Sequence, residues 1–184
     1  MNLLGVVAEW RSRDILGPEA DAPTSICPVS AEEMVHMTIT IRVAAEEDIP
    51  AIFDVRTSVR ENHLSAEQMA EMGITNETIR QALRKEPCIW VAVRGDHIVG
   101  FSIADAADAC LFAAFVRPEW AGQGIGRRLM ERAEAFLFKH HSSIWLHTDG
   151  SSRAAGFYER LGWKRMPDME NRDARFEKHR TKTS

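Results

Sequence analysis

Apolar and polar positions repeat with two spacings from Thr38 onward. Thr38-Ile39-Thr40-Ile41-Arg42 alternates and predicts a first strand. Short apolar runs predict others at Ile89 to Val93, Ile98 to Ala104, Cys110 to Val116 and Ile144 to Thr148, with a last one near Arg175 to Lys178; Arg94-Gly95-Asp96 reads as a turn. Elsewhere the spacing lengthens to three and four. Glu46-Glu47-Asp48 opens a helix with acids suited to its dipole and Pro50 tolerated near the start, and Ile52, Val55 and Val59 carry it to about Asn62. Ser65-x-x-Gln68 is a capping box for a short second helix that Gly73 ends, and Thr75 caps a third through Leu83. A longer helix from Gly124 to about Lys139 turns Ile125, Leu129, Ala133, Phe136 and Leu137 to one side, and another contains Ala154 to Leu161. Helices on both faces of a mixed, mostly antiparallel sheet make an α+β sandwich.

Met1 to His36 lacks this periodicity. It carries Pro18, Pro23, Pro28 and scattered acids, and Ala8 to Leu16 has at most a marginal turn or two of helix in it. Two readings stand side by side: a disordered N-terminal extension, or an upstream stretch brought in by an early start, with Met34 or Met37 as the true one. The domain is then 37–184, a length that fits one core.

Charge changes this picture little. The first 36 residues hold six acids and two bases and account for the net charge of −4, which leaves 21 of each sign in the rest. A neutral body gives no electrostatic argument for nucleic acid or an anionic membrane as partner. Cys27, Cys88 and Cys110 are odd in number and lack metal spacing, so buried reduced thiols in a cytoplasmic protein are expected, with no metal. No apolar run approaches a membrane span, and Leu3 to Val7 is too short for a signal-peptide core.

Candidate chemistry gathers at Phe115-Val116-Arg117-Pro118-Glu119-Trp120-Ala121-Gly122-Gln123-Gly124-Ile125-Gly126-Arg127-Arg128, a strand, a Pro turn and a Gly-rich loop ahead of a helix. Glycines admit a ligand close to the backbone, and free N–H groups at a helix start point at an anion. Arg127 and Arg128 stand in the first turn, where the macrodipole disfavours cations, and so suit a nearby polyanion. The plainer reading is a solvated basic turn with Arg127 paired to Glu131. Neither a P-loop Gly-Lys-Ser/Thr nor a Gly-x-Gly-x-x-Gly is present.

The order of these elements resembles the GCN5-related N-acetyltransferase (GNAT) superfamily over about Thr38 to Lys178. Its acyl-CoA signature, Arg/Gln-x-x-Gly-x-Gly/Ala, is matched by Ala121 to Gly126 except at the first position. Its later signature, an Asn three residues before Ala and then Phe-Tyr-Glu-x-Leu-Gly-Phe, is matched by Ser151, Ala154 and Phe157 to Trp163, with Ser for Asn and Trp for Phe. The resemblance implies an acetyl-CoA-dependent N-acetyltransferase that transfers directly to a primary amine. The loop residues Gly122, Gln123, Gly124, Ile125, Gly126 and Arg127 would hold the pyrophosphate, and backbone N–H groups of Ala114, Phe115 and Val116 the pantetheine and thioester carbonyl. Ala121 removes a side chain that reaches the phosphates but leaves the amides. Ser151 retains the ability to cap the next helix, although it is shorter than Asn.

Direct transfer needs a neutral amine and a protonated leaving thiolate. Tyr158, the only tyrosine of the chain, stands where the family places its general acid; packing in the core is the alternative. For the base, Ala109 to Val116 offers no carboxylate. Glu61 in Arg60-Glu61-Asn62-His63, in the segment that lines the acceptor pocket in such folds, and His147, on the strand beside the acyl site, are the candidates, each with a structural alternative. The acceptor classes are small amines, amino acids, antibiotics and protein N-termini, and a homodimer is the default for self-association. Transfer of a longer acyl chain, or a CoA-binding regulatory or interaction module without turnover, remain the competing functions.

Overall fold

A computed structural model describes residues 38–59, 64–167 and 173–180. Seven strands form one sheet: β1 (Ile39–Val43), β2 (Ile89–Arg94), β3 (His97–Asp105), β4 (Cys110–Val116), β5 (Ser143–Asp149), β6 (Lys164–Arg165) and β7 (Asp173–His179), in the order β1-β2-β3-β4-β5-β7-β6. Every neighbouring pair is antiparallel except β4 with β5. The helices are α1 (Ile49–Ser58), α2 (Ala66–Glu71), α3 (Asn76–Lys85), α4 (Ile125–His140) and α5 (Arg153–Arg160). The expected α+β sandwich is the observed fold.

Local chemistry sets the helix ends. The Ser65 hydroxyl accepts from Gln68 N–H at 3.2 Å and Gln68 returns the bond to Ser65 N–H at 2.9 Å, the reciprocal cap read from the sequence. Thr75 caps α3 in the same way. Two boundaries differ. The acids Glu46 to Asp48 form a single 3-10 turn, and α1 begins after them and stops at Ser58, where Val59 is extended, rather than running to Asn62. Asp48 is held out of the helix because its carboxylate is bound by Arg42 and by Ala45 N–H at 2.8 Å.

The register assigns the faces. Phe101 pairs with Phe115 across β3 and β4, their centroids 5.6 Å apart, and Arg56 of α1 lies over the Phe115 ring at 4.5 Å. Neighbouring Ser102 points the other way and donates to Leu129 O of α4 at 3.2 Å. Thus α1 and α4 cover opposite faces. On the α4 face, Ile125, Leu129, Met130, Ala133 and Leu137 meet Ile144, Leu146 and Phe176 in a buried core. α5 lies on this side too, since its Tyr158 ring is 6.0 Å from that of Phe176.

Cys88 and Cys110 are buried and free, as the sequence suggests, and burial drives both thiols toward the protonated form; Cys27 lies outside the described residues.

Candidate functional site

The one parallel contact in the sheet creates the site. β4 and β5 pair only at Cys110↔Trp145, and beyond that point they part. Arg117 N–H donates to Val99 O of β3 at 2.8 Å, and the alternation of an antiparallel ladder then turns the amides of Val116 and Ala114 away from β3 into the gap. The Phe115 amide faces β3, while its ring faces α1.

β4 runs out into a 3-10 turn, Pro118–Trp120, and then the glycine loop. Arg94, the last residue of β2, lies on Trp120 at 4.2 Å and pins the approach to that loop. Gly122 and Gly124 have φ of +77° and +76°, and a Cβ at either would meet no protein atom within 4 Å. Their backbone is one that side chains resist, and the space before it is open: the loop is shaped to admit something close to its amides. Gly124 is the N-cap of α4, so the Ile125, Gly126 and Arg127 N–H groups have no intrahelical acceptor. A Cβ on Gly126 would meet the Phe157 ring at 3.4 Å, which locks the start of α4 against α5. These residues fit a bound pyrophosphate. The Arg127 side chain donates to Glu131 at 2.9 Å, and Arg128 donates to Ile39 O at 2.8 Å.

Ser151 is not the cap of α5. Its hydroxyl donates to the Asp149 carboxylate at 2.6 Å, and Ser152 is the N-cap, accepting from Ala155 N–H at 3.4 Å. The expectation that Ser151 caps the helix is therefore corrected by one position: the acid at the end of β5 claims Ser151 first.

Tyr158 is buried among the Phe157, Trp163 and Phe176 rings, and its hydroxyl makes no hydrogen bond to a described residue. Burial pushes the phenol up to about 12, so it holds its proton at neutral pH. His147 lies on the opposite face of β5. Its ring is exposed and rests beside Trp145, 4.8 Å between centroids. Tyr158 and His147 thus lie on opposite faces of β5. Glu61 lies outside the described residues.

Two features of the α1 face escaped the sequence. Arg56 is 3 % exposed, and desolvation pulls its guanidinium down to about 10; its spacing of four from Ile52 was the available signal. Arg175 lies over Trp145 at 4.7 Å and binds Glu177 at 2.9 Å, a relation visible only once β7 is set in register with β5.

A family model described as an acetyltransferase (GNAT) domain matches residues 85–165. The peptidyl-lysine N-acetyltransferase YjaB of Escherichia coli is 30% identical over 132 residues, 70% of this chain and 84% of that protein. The chain belongs to the GNAT acetyltransferase family. YjaB of Salmonella typhimurium is similarly related, at 31% identity over 70% of this chain and 85% of its own length. Among solved structures, the PaiA N-acetyltransferase of Thermoplasma acidophilum, in complex with coenzyme A, shares the fold of this acetyltransferase with a TM-score of 0.66 at 21% identity, over 78% of this chain and 100% of that one. No helix among the described residues is long and apolar enough to cross a membrane.

Proposed function

We propose that this acetyltransferase moves an acetyl group from acetyl-CoA to a primary amine, and that the amine is a lysine side chain of a polypeptide, the acceptor class named for its Escherichia coli relative. The observation that carries the reading is the β4–β5 gap, with two strand amides turned into it.

A lysine amine, with pKa ~10.4, is neutral in about one molecule in 2,500 at pH 7, a deficit of roughly 4.6 kcal/mol. His147 takes the proton from the incoming ammonium on the α1 face. The neutral amine adds to the thioester carbonyl, and the oxygen of the tetrahedral intermediate receives hydrogen bonds from the Ala114 and Val116 amides. The nitrogen, cationic once it has added, gives up its second proton to water, the C–S bond breaks and the electron pair leaves on sulfur. Tyr158, on the α5 face, delivers the phenolic proton to that sulfur. Burial makes the phenol a weaker acid, desolvation acts in the same direction on a thiol held beside it, and the difference between the two governs the transfer. The glycine loop holds the pyrophosphate and so fixes where the thioester lies.

The test is thiol release from acetyl-CoA with three acceptors: a lysine peptide blocked at its N-terminus, a free N-terminus without lysine, and small amines. Release with the first and acetylation at Nε are expected. Release with none of them removes the transfer reading; release only with the others removes the acceptor class.

A further inference from the structure

On the α1 face of β5 and β7, His147 stands in a cluster with Trp145, Arg175 and Glu177, three residues that the chemistry above leaves unused. The register pairs His147 with Arg175 and Trp145 with Glu177. Directly opposed residues carry their Cβ atoms roughly 5 Å apart, so each pair is in side-chain contact range. The Trp145 indole is fixed twice: its Nε1–H donates to Asp108 O at 2.8 Å, and the Arg175 guanidinium covers it at 4.7 Å. Arg175 is in turn held by Glu177, to whose Oε1 the Nε–H donates at 2.9 Å, with Nη2 at 2.9 Å from the same oxygen. The His147 ring leans on this fixed indole at 4.8 Å, tilted by 56°.

We propose that Arg175 is a positioning residue for His147: anchored by Glu177 and laid on Trp145, it holds the imidazole in one orientation at the open end of β5. This rests on His147 as the base that receives the acceptor proton. An exposed imidazole samples several rotamers, and a base must present one nitrogen within hydrogen-bond reach of the amine. The indole removes rotamers on one side, and Arg175, directly opposite His147 across the two strands, restricts the ring on the side that faces β7. Arg175 is suited to this by its flat fork, which binds a carboxylate and stacks on an arene at once. The core is untouched by the arrangement, since the alternate residues of both strands, Leu146 and Phe176, make the contacts on the other face.

A double-mutant cycle on the full chain, with saturating acetyl-CoA and a lysine peptide, separates positioning from mere structure. Arg175→Met keeps an unbranched stem over the indole and removes the fork. It is expected to lower kcat about tenfold, with the KM for acetyl-CoA within about twofold of the parent. In a His147→Gln background the same change should cost nothing further, because the group it acts through is gone. Arg175→Lys, which keeps the cation without the fork, should recover only part of the rate, and it stands in if the Met variant does not fold. A slow His147→Gln enzyme that loses another tenfold on Arg175→Met overturns the positioning role and leaves the base assignment in place. A His147→Gln enzyme at full rate overturns the base assignment itself, and with it this proposal.

Discussion

The Tyr158 ring packs against those of Phe157, Trp163 and Phe176, so replacing it by Phe keeps the packing and removes only the hydroxyl. Tyr158→Phe should therefore fold about as well as the parent and bind acetyl-CoA with little change by calorimetry. Turnover should fall ~10² to 10⁴-fold, the usual worth of general-acid assistance. Full activity in the Phe variant would reduce Tyr158 to a packing residue. The two serines before α5 make a second contrast at this scale. Ser152→Ala removes the N-cap and should cost about 0.5–2 kcal/mol in urea denaturation. Ser151→Ala, which loses only an exposed bond to Asp149, should cost less. The reverse order would return the cap to Ser151.

Among the elements, β4 matters most, because both the gap and the loop hang from it. Gly100 of β3 lets it sit where it does: a Cβ there would meet Phe115 O at 2.8 Å and Leu129 Cδ1 at 3.1 Å. Gly100→Ala must push β4 or α4 outward, a strain of about 1–3 kcal/mol for overpacking of this kind. Unlike a surface change of equal cost, it should also weaken acetyl-CoA binding, since the displaced strand carries the Ala114 and Val116 amides. An Ala variant as stable as the parent would show that the two layers have room to spare. The loop after β4 obeys a different constraint. At Gly124 a side chain has space but not a comfortable backbone, with φ at +76°. Gly124→Val accordingly combines local strain with a side chain set in the proposed phosphate space.

At the scale of the whole molecule, the edge of the sheet is tied to α1 by Asp48, whose carboxylate is buried and bound by Arg42 and the Ala45 amide, and is held below the usual carboxylate range chiefly by the Arg42 hydrogen bond. A carboxyl with a lowered folded pKa contributes stability that is present above its unfolded value of ~3.9 and is lost as pH falls through the folded one. Arg42 is half exposed, so solvent reduces the contribution, to about 1–2 kcal/mol. Asp48→Asn should lower Tm by about 2–8 °C at pH 7, and the difference should shrink toward pH 2; a gap that is constant with pH would mean that packing, not charge, is responsible. Six of the seven strands, the capping boxes of α2 and α3 and the glycine loop were legible in the sequence, because each depends on spacing or on the conformational range of single residues within a few positions; the two-residue β6 carries no such pattern. Ser65 and Gln68 meet wherever that helix forms, and Gly122 and Gly124 bend the chain whatever surrounds them. The sequence also placed Tyr158 and His147 as candidates, through motif and strand position. Their arrangement was decided only by the tertiary structure. That His147 and Tyr158 stand on opposite faces of β5, that β4 and β5 part after a single pair, and that Arg175 comes to lie on Trp145 all follow from how strands distant in sequence are registered and how α1 and α4 cover the sheet. Such register is set by the fit of many buried side chains at once, and no local stretch of residues encodes it.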